Sequence, residues 1–148
     1  MSGHNFWIGV VSRSHVMLGV RGGFAQLNHG KKAPLQRLKA GDGLVYYSPR
    51  TDYPNGEPLK SFTAVGIVRT GEIYEAEMSD SFHPFRIDVD YLEAHETPIA
   101  PLIERFSFIR KKESWGAAFR FGQLKVPESD FWLIAEAMGV DLNKLAGR

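Results

Sequence analysis

The chain has 148 residues, a net charge of +1, 43% hydrophobic residues and no Cys. The size and composition predict one domain, residues 1–148, around a single core, and exclude a disordered or fibrous protein. The lack of Cys excludes disulfides and thiolate chemistry. The longest uncharged stretch, Met1 to Ser12, is too short to span a bilayer and has no basic leader, so we expect a cytoplasmic protein without membrane contact.

The first half of the chain predicts two short strands, two helical segments and a surface loop. Phe6–Val11 is apolar and β-branched, which is typical of a buried strand. Ser14 is predicted to cap a helical turn, and Gly22-Gly23 is predicted to end it, because glycine tolerates left-handed backbone. The later elements predicted in this half are a helix at Ala33–Lys39, a strand at Leu44–Ser48 and a surface loop from Pro49 to Lys60.

The second half predicts more strands. The segment Phe62–Arg69 is a predicted strand with a bend at Gly66, and Thr70-Gly71 is predicted to turn the chain back into a strand at Ile73–Glu77. Between Phe85 and Tyr91 apolar and polar residues alternate cleanly, which predicts a half-buried antiparallel strand.

The last third predicts a helical turn at Leu102–Phe106 and a final strand that includes Phe119–Phe121. Pro127 opens a C-terminal helix that Gly139 ends. The apolar stripe of this helix is Phe131, Ile134, Ala135 and Met138. About six short strands with a few helices, and no alternating strand–helix units, predict an α+β fold: a small mixed β-barrel with peripheral short helices and a C-terminal helix.

Charge is segregated along the chain. Residues 1–41 carry six Lys or Arg and no acid, residues 72–100 carry eight acids and one Arg, and residues 101–125 have a net charge of +4. This pattern indicates either a dipolar surface that attracts an anion to one face or solvated faces without a function.

Familiar catalytic signatures are missing. The sequence has no P-loop, no dinucleotide-binding glycine motif and no nucleophile elbow, and its five His never fall at i, i+4. We therefore expect no metal, no cofactor and no enzyme activity. Asp88 and Asp90 share one strand face, which permits acid–base work, although a solvated strand face explains them as well.

Aromatic residues gather near predicted strand ends and turns, where side chains can line a cavity. They are Trp7, Phe24, Tyr46, Tyr47, Phe82, Phe85, Trp115, Phe119 and Phe121. Rings in such places can stack on nucleic-acid bases, and a nearby Arg adds attraction for phosphate. The alternative is that most of these rings are core.

An ordered succession of segments resembles the EVE domain family, in its single-domain bacterial branch. The segments are Trp7–Arg13, His15–Phe24, His29–Lys31, Gly41–Pro49, Phe62–Gly66 and Phe82–Arg86. The resemblance implies a PUA-like fold related to YTH and ASCH domains, with a pocket on one side. It also implies recognition of DNA or RNA that carries a modified base, turned out of the strand into that pocket.

The resemblance also suggests roles for particular residues. Val11-Ser12-Arg13 resembles the lysine-serine turn that contacts the base edge in YTH domains, with Val11 where the lysine stands. Phe82–Arg86 resembles the segment that supplies aromatic cage walls, with Phe in place of Trp. The full set assigned to base binding is Trp7, Ser12, Arg13, Arg21, Gly22, Gly23, Phe24, Tyr47, Ser48, Pro49, Arg50, Phe82, Phe85, Arg86 and Trp115.

Three hypotheses follow. The first is a non-enzymatic module, monomeric or weakly self-associating, that reads a modified base in nucleic acid. The second is a small-molecule or nucleotide-processing enzyme that uses Asp88, Asp90 or His83 in the same cavity. The third is an interaction protein whose C-terminal helix, Phe131 to Leu145, docks a partner; burial of that helix against the barrel accounts for its apolar residues equally well.

Overall fold

The computed structural model of this protein describes residues 3–143. Its sheet contains a parallel pair of strands, β1 (Phe6–Val10) and β3 (Gly43–Arg50). Parallel neighbours need a crossover connection, because a tight turn can join only antiparallel strands. Residues 11–42 form that crossover. Its elements are α1 (Arg13–Gly22), β2 (Phe24–Ala25), a 3-10 turn at Asn28–Gly30 and α2 (Ala33–Gln36).

The remaining strands complete a mixed sheet that has seven strands within the described residues. They are β4 (Pro58–Glu75), β5 (Phe85–Tyr91), β6 (Thr97–Pro98) and β7 (Gln123–Val126). The strand order is β2-β5-β4-β3-β1-β7, and β6 pairs with β4 outside this order. The β1–β3 pair is parallel, and the other pairs are antiparallel. The α+β prediction with peripheral helices is confirmed. The sheet is nevertheless not closed into a barrel, since β2 and β7 end the strand order.

The C-terminal helix α3 (Glu128–Ala137) covers one face of the sheet, as predicted. Its stripe residues are fully buried, and Gly139 follows it with a φ of 83°. The buried Asp130 carboxylate accepts hydrogen bonds from the Ser107 amide, the Ser107 hydroxyl and the Phe108 amide. These bonds fix the helix to the segment between two 3-10 helices, Ala100–Arg105 and Lys112–Phe119.

Alternation along the strands builds a separate core on each face. The α3-side core includes Val45 and Tyr47 of β3, and the α1-side core includes Leu44 and Tyr46 of the same strand. The face of β5 that was predicted to be apolar belongs to the α1-side core. Buried on both faces, β3 is one of three inner strands, with β1 and β4, that contribute to both cores.

Several predicted boundaries are wrong. The predicted turn at Thr70-Gly71 does not form, because β4 runs through it to Glu75 with a shift of register against β5 between Val68 and Ile73. Phe119 ends a 3-10 helix, and the last strand begins at Gln123. The other differences are an N-cap at Ser12 rather than Ser14, an α2 that ends at Gln36, and a loop after β3 that spans residues 51–57 rather than Pro49 to Lys60.

Leu145, the far end of the proposed docking helix, lies outside the described residues. No helix within residues 3–143 is long and apolar enough to cross a bilayer.

Candidate functional site

A cavity of about 610 Å³ opens beside α1. Its walls come from the end of β1, from α1, from the start of the crossover loop, from the end of β3 and from the turn that precedes β7. Two residues near the tip of the β4–β5 connection, Met78 and Phe82, complete the rim. Ligand sites for small molecules and single nucleotides commonly have this size.

Ser12 is the N-cap residue of α1 and lines this cavity. It is 9% exposed, and its hydroxyl oxygen has no hydrogen-bond partner among the described residues. An N-cap serine normally accepts a bond from the first turn of its own helix, but here no such bond forms. A buried hydroxyl without a partner costs roughly 1–3 kcal/mol, so Ser12 is a polar group that a ligand can satisfy.

Aromatic rings form much of the wall. Tyr46 and Phe119 are buried, Phe24 is half-buried and Phe82 is 39% exposed. The guanidinium of Arg86 lies 3.9 Å from the centroid of the Phe24 ring and donates to the Gln26 side-chain oxygen at 3.0 Å. A planar ligand therefore meets ring surfaces and one positively charged edge.

Tyr46 is the innermost of these rings. Burial raises the pKa of its hydroxyl to about 12, and hydrogen bonds from the Tyr91 side chain and the Gln26 backbone oppose that rise. The phenol is therefore neutral at physiological pH. Gly9 lies directly behind the ring, since a Cβ there would stand 3.1 Å from the Tyr46 ring and 2.8 Å from Leu27.

Positive charge predominates among the described residues that line the cavity. Lys31, Arg50, Arg86 and Arg120 contribute four cations, against the single carboxylate of Asp52. Hydrogen bonds from the Ser14 hydroxyl and the Tyr53 amide hold the pKa of the Asp52 carboxyl below its usual value. The carboxylate is thus ionised and already bonded within the protein, and the field at the mouth favours an anion.

Strained backbone borders the same cavity. Asn28 and His29 have φ values of 46° and 60°, and Gly30 continues the left-handed run at 84°. Left-handed non-glycine residues in succession are costly, and such strain tends to occur at functional sites. The strained turn places the His29 ring 5.3 Å from the Tyr53 ring, and both side chains line the cavity.

Six of the residues assigned from the sequence come together in this cavity. They are Ser12, Phe24, Pro49, Arg50, Phe82 and Arg86. These residues come from four separate regions of the chain, and the fold brings them together in one cavity.

Four aromatic residues of that set lie elsewhere, among them Trp7, Tyr47 and Trp115. Trp7 is 8% exposed, packs in the α1-side core and donates from Nε1 to the buried Asp42 carboxylate at 3.1 Å. Tyr47 packs in the α3-side core, and Trp115 lies edge-on against it at 6.2 Å between ring centroids. These rings stabilise the fold and do not line the cavity.

The remaining assigned residues also lie away from the cavity. Arg13 pairs with Glu96 at 3.2 Å, and Ser48 shares a buried 2.8 Å hydrogen bond with Thr63. Phe85 is half-buried in the α1-side core beneath Lys32. Arg21, Gly22 and Gly23 form the last turn and the C-cap of α1, with Gly23 at a φ of 74°.

The sequence reasoning did not assign several lining residues. Val10, Val11, His15, Gln26, Asn28, His29, Lys31, Asp52, Tyr53, Met78 and Arg120 are among them. Tyr46, Phe119 and Phe121 were recognised as aromatic candidates but not assigned. The Asn28-His29-Gly30 segment carried a usable signal, because it is a turn-forming Asn-His-Gly sequence and His29–Lys31 belongs to the family resemblance.

The residues of the enzyme hypothesis do not line the cavity. Asp88 accepts a bond from the Tyr74 hydroxyl, Asp90 pairs with Arg69 at 2.7 Å, and His83 contacts the Asp80 carbonyl. Within residues 3–143 no three His, Asp or Glu side chains gather as a metal ion would require.

Solved structures of the same fold include YTH domains. The YTH domain of MRB1 from Zygosaccharomyces rouxii, in complex with N6-methyladenosine RNA, matches with a TM-score of 0.63 over 95% of this chain and 88% of that chain, at 12% identity. The NMR structure of Rpa0253 from Rhodopseudomonas palustris matches with a TM-score of 0.54 over 91% of this chain and 93% of that chain, at 16% identity. At these identities the likeness defines the fold class, which is PUA-like.

Sequence similarity identifies the family within that class. The EVE domain model matches residues 5–137. The UPF0310 protein YdcG of Bacillus subtilis (strain 168) is 47% identical over 142 residues, which cover 96% of this chain and 97% of that protein. The UPF0310 protein of Mycobacterium avium (strain 104) is 51% identical over 132 residues, covering 89% and 96%. The chain belongs to the EVE domain family.

Proposed function

We propose that this protein is a non-enzymatic nucleic-acid-binding module that accepts a modified, flipped-out base in the cavity beside α1. The observation that carries the proposal is the unsatisfied Ser12 hydroxyl in the wall of a cavity whose charged lining residues are mostly cationic. A base that leaves the stack needs stacking surfaces, hydrogen-bonding groups for its edge and cations for the flanking phosphates.

The edge contact is assigned to Ser12. A base edge presents both donors and acceptors, and a hydroxyl can rotate to serve either. Because Ser12 caps α1, the positive end of the helix dipole favours a carbonyl oxygen or ring nitrogen of the base at this position.

The walls and the rim complete the arrangement. Phe24 and Tyr46 offer ring surfaces for the base, while Arg50 and Arg120 lie exposed for the phosphates on either side. Because one small module makes few phosphate contacts, we expect modest affinity that falls as salt is raised.

Proteins of the same fold and family support this proposal by analogy. The YTH domain with the same fold was solved with N6-methyladenosine RNA, and family relatives match this chain over nearly its full length.

The experiment measures binding by fluorescence anisotropy at low and moderate salt. The probes are short single- and double-stranded DNA and RNA oligonucleotides, each with and without 5-methylcytosine, 5-hydroxymethylcytosine or N6-methyladenine. We expect tighter binding to one modified probe than to its unmodified counterpart. Ser12→Ala should weaken that preferred complex about 3- to 10-fold, as expected for the loss of one hydrogen bond.

A matched control separates binding from folding. Ser61 is also a buried serine, but its hydroxyl donates to the Leu59 carbonyl away from the cavity. Ser61→Ala should leave the preference for the modified probe intact. Equal affinity for every modified and unmodified probe, or an unchanged preference in Ser12→Ala, would overturn the proposal.

A further inference from the structure

Exposed apolar side chains are concentrated at the mouth of the cavity. Seven large hydrophobic residues are exposed within residues 3–143, and five of them line this cavity: Leu18, Tyr53, Met78, Phe82 and Phe121. Scattered exposed hydrophobics are ordinary, but a cluster around one opening indicates a binding surface.

Phe121 is the most exposed of the seven, with 76% of its surface accessible. A phenylalanine this exposed forgoes most of the stabilisation that burial would provide. Its neighbour Arg120 is also exposed and lines the same mouth.

The turn that carries Phe121 is firmly held. The Gln123 amide donates to the Phe121 carbonyl at 2.7 Å, and the Val10 amide donates to the Gly122 carbonyl at 2.8 Å. Gly122 has a φ of 70° and packs so closely on the Asn28 side chain that a Cβ would collide with it. The backbone therefore presents the Phe121 ring outward from a fixed position on the cavity wall.

We propose that Phe121 is a stacking platform for the unpaired base next to the one that enters the cavity, and that Arg120 contacts the phosphate between them. This inference rests on the proposed function and extends it, because it specifies a single-stranded substrate at that flank. A base that stacks on Phe121 cannot remain paired and stacked within a duplex.

The charge at the mouth favours nucleic acid over a protein partner as the occupant. Four cations and one internally bonded carboxylate surround the exposed rings. An aromatic platform beside arginines is the arrangement by which single strands are held, since rings take the bases and cations take the backbone.

The first test uses a single-stranded oligothymidylate probe and fluorescence anisotropy at low salt. Phe121→Ala should weaken binding about 5- to 150-fold, the range expected for the loss of one base–aromatic stack, and Phe121→Trp should retain or strengthen it. Tyr74→Ala is the matched control, because Tyr74 is an exposed ring that does not line the cavity. It should bind as the unaltered protein does.

The second test locates the stack. The probes carry one abasic position beside the central base. The unaltered protein should bind most weakly the probe whose missing base is the one that stacks on Phe121, and Phe121→Ala should not weaken the binding of that probe any further. An equal loss on every probe, or no loss on any, would overturn the platform. Sedimentation that shows a dimer dissolved by Phe121→Ala would also overturn it, because the ring would then belong to a protein interface.

The two proposals can fail separately. Loss of the preference for a modified base, with the Phe121 effect retained on oligothymidylate, would remove the base reader and keep the platform. A Ser12-dependent preference for the modified probe, together with an oligothymidylate affinity that Phe121→Ala leaves unchanged, would keep the base reader and remove the platform.

Discussion

Tyr46 and Tyr47 are neighbours on β3, yet they belong to two regions with opposite character. Tyr47 packs in the α3-side core against Phe62 and Phe119, on a face that α3 covers. Tyr46 lines the cavity on the other face. The difference teaches that stability and binding are unequally divided between the two faces of the sheet. The α3-side face is packed around α3, whereas the α1-side face carries both a core and much of the cavity wall.

The largest expected effect lies on the α3-side face. Phe131 is fully buried, with ring centroids 4.9 Å from Phe6 and 5.0 Å from Trp132. Phe131→Ala should lower the free energy of unfolding by about 3–5 kcal/mol, because it leaves a cavity in a close-packed core. Denaturant titration measures this, and binding by the folded protein should be unchanged. A loss of stability below about 1 kcal/mol would show that the α3-side core is not close-packed around Phe131.

Alkaline pH acts on both faces. Burial raises the pKa of Tyr46 and of Tyr47 from 10.0 to about 12, so the native protein keeps these protons over a range in which the unfolded chain loses them. Stability is therefore complete below pH 10 and falls as pH rises towards about 12. For fully buried Tyr46 the loss amounts to about 3 kcal/mol. Denaturant titration across this range, with tyrosinate absorbance recorded in parallel, tests it; Tyr46→Phe should flatten the decline, and a flat profile in the unaltered protein would contradict it.

Removal of the hydroxyl from two buried serines, Ser48 and Ser12, should affect stability differently. Ser48 shares a 2.8 Å hydrogen bond with Thr63, whereas Ser12 has no partner in the described part of the chain. Ser48→Ala should lower the free energy of unfolding by about 1–3 kcal/mol, because the Thr63 hydroxyl is left buried and unpaired. Ser12→Ala should leave stability unchanged or raise it slightly. Thermal and denaturant unfolding of both variants measures the difference.

The double variant Ser48→Ala with Thr63→Val supplies the control. Replacing both hydroxyls by apolar groups of similar shape should recover most of the stability lost in Ser48→Ala. If Ser12→Ala instead proved as destabilising as Ser48→Ala, the Ser12 hydroxyl would have a structural partner, and its proposed role would fail.

The smallest expected effect is at the surface. Arg13 and Glu96 form a 3.2 Å ion pair with side chains 40% and 39% exposed. Arg13→Gln should change stability by no more than about 1 kcal/mol, since exposed pairs gain little in water. A double-mutant cycle with Glu96→Gln isolates the pair. A coupling well above that value would make this contact part of the packing between α1 and the segment before β6.

Local patterns predicted the regular elements well. The alternation in β5 identified both its bounds and its buried face, and the stripe of α3 identified the residues that pack on the sheet. The turn predicted at Thr70-Gly71 failed because β4 continues through these residues, which lie in an irregularity between two stretches that pair with β5. Turn propensity alone carries no information about such a distant partner.

The site was harder to predict for a related reason. An inner strand buried on both faces is a continuous apolar run, so alternation in β3 cannot show which face holds the cavity. Tyr47 was therefore assigned in place of Tyr46. Trp7 was assigned as a wall because aromatic rings near strand ends can line a cavity, and the local pattern does not reveal its buried acceptor, Asp42, 35 residues away in sequence. Of the four assigned arginines, Arg50 and Arg86 reach the mouth, whereas Arg13 and Arg21 do not line the cavity.

The crossover between β1 and β3 supplies a large part of the cavity wall as one continuous piece of chain. Eleven of the 24 residues that line the cavity lie within residues 11–42, a single continuous stretch whose ends meet at neighbouring strands of the sheet. A graft of that stretch from a relative would exchange nearly half of the cavity wall in one step. The six strands outside that stretch would stay as the common frame, and only β2 would be exchanged with the cavity wall.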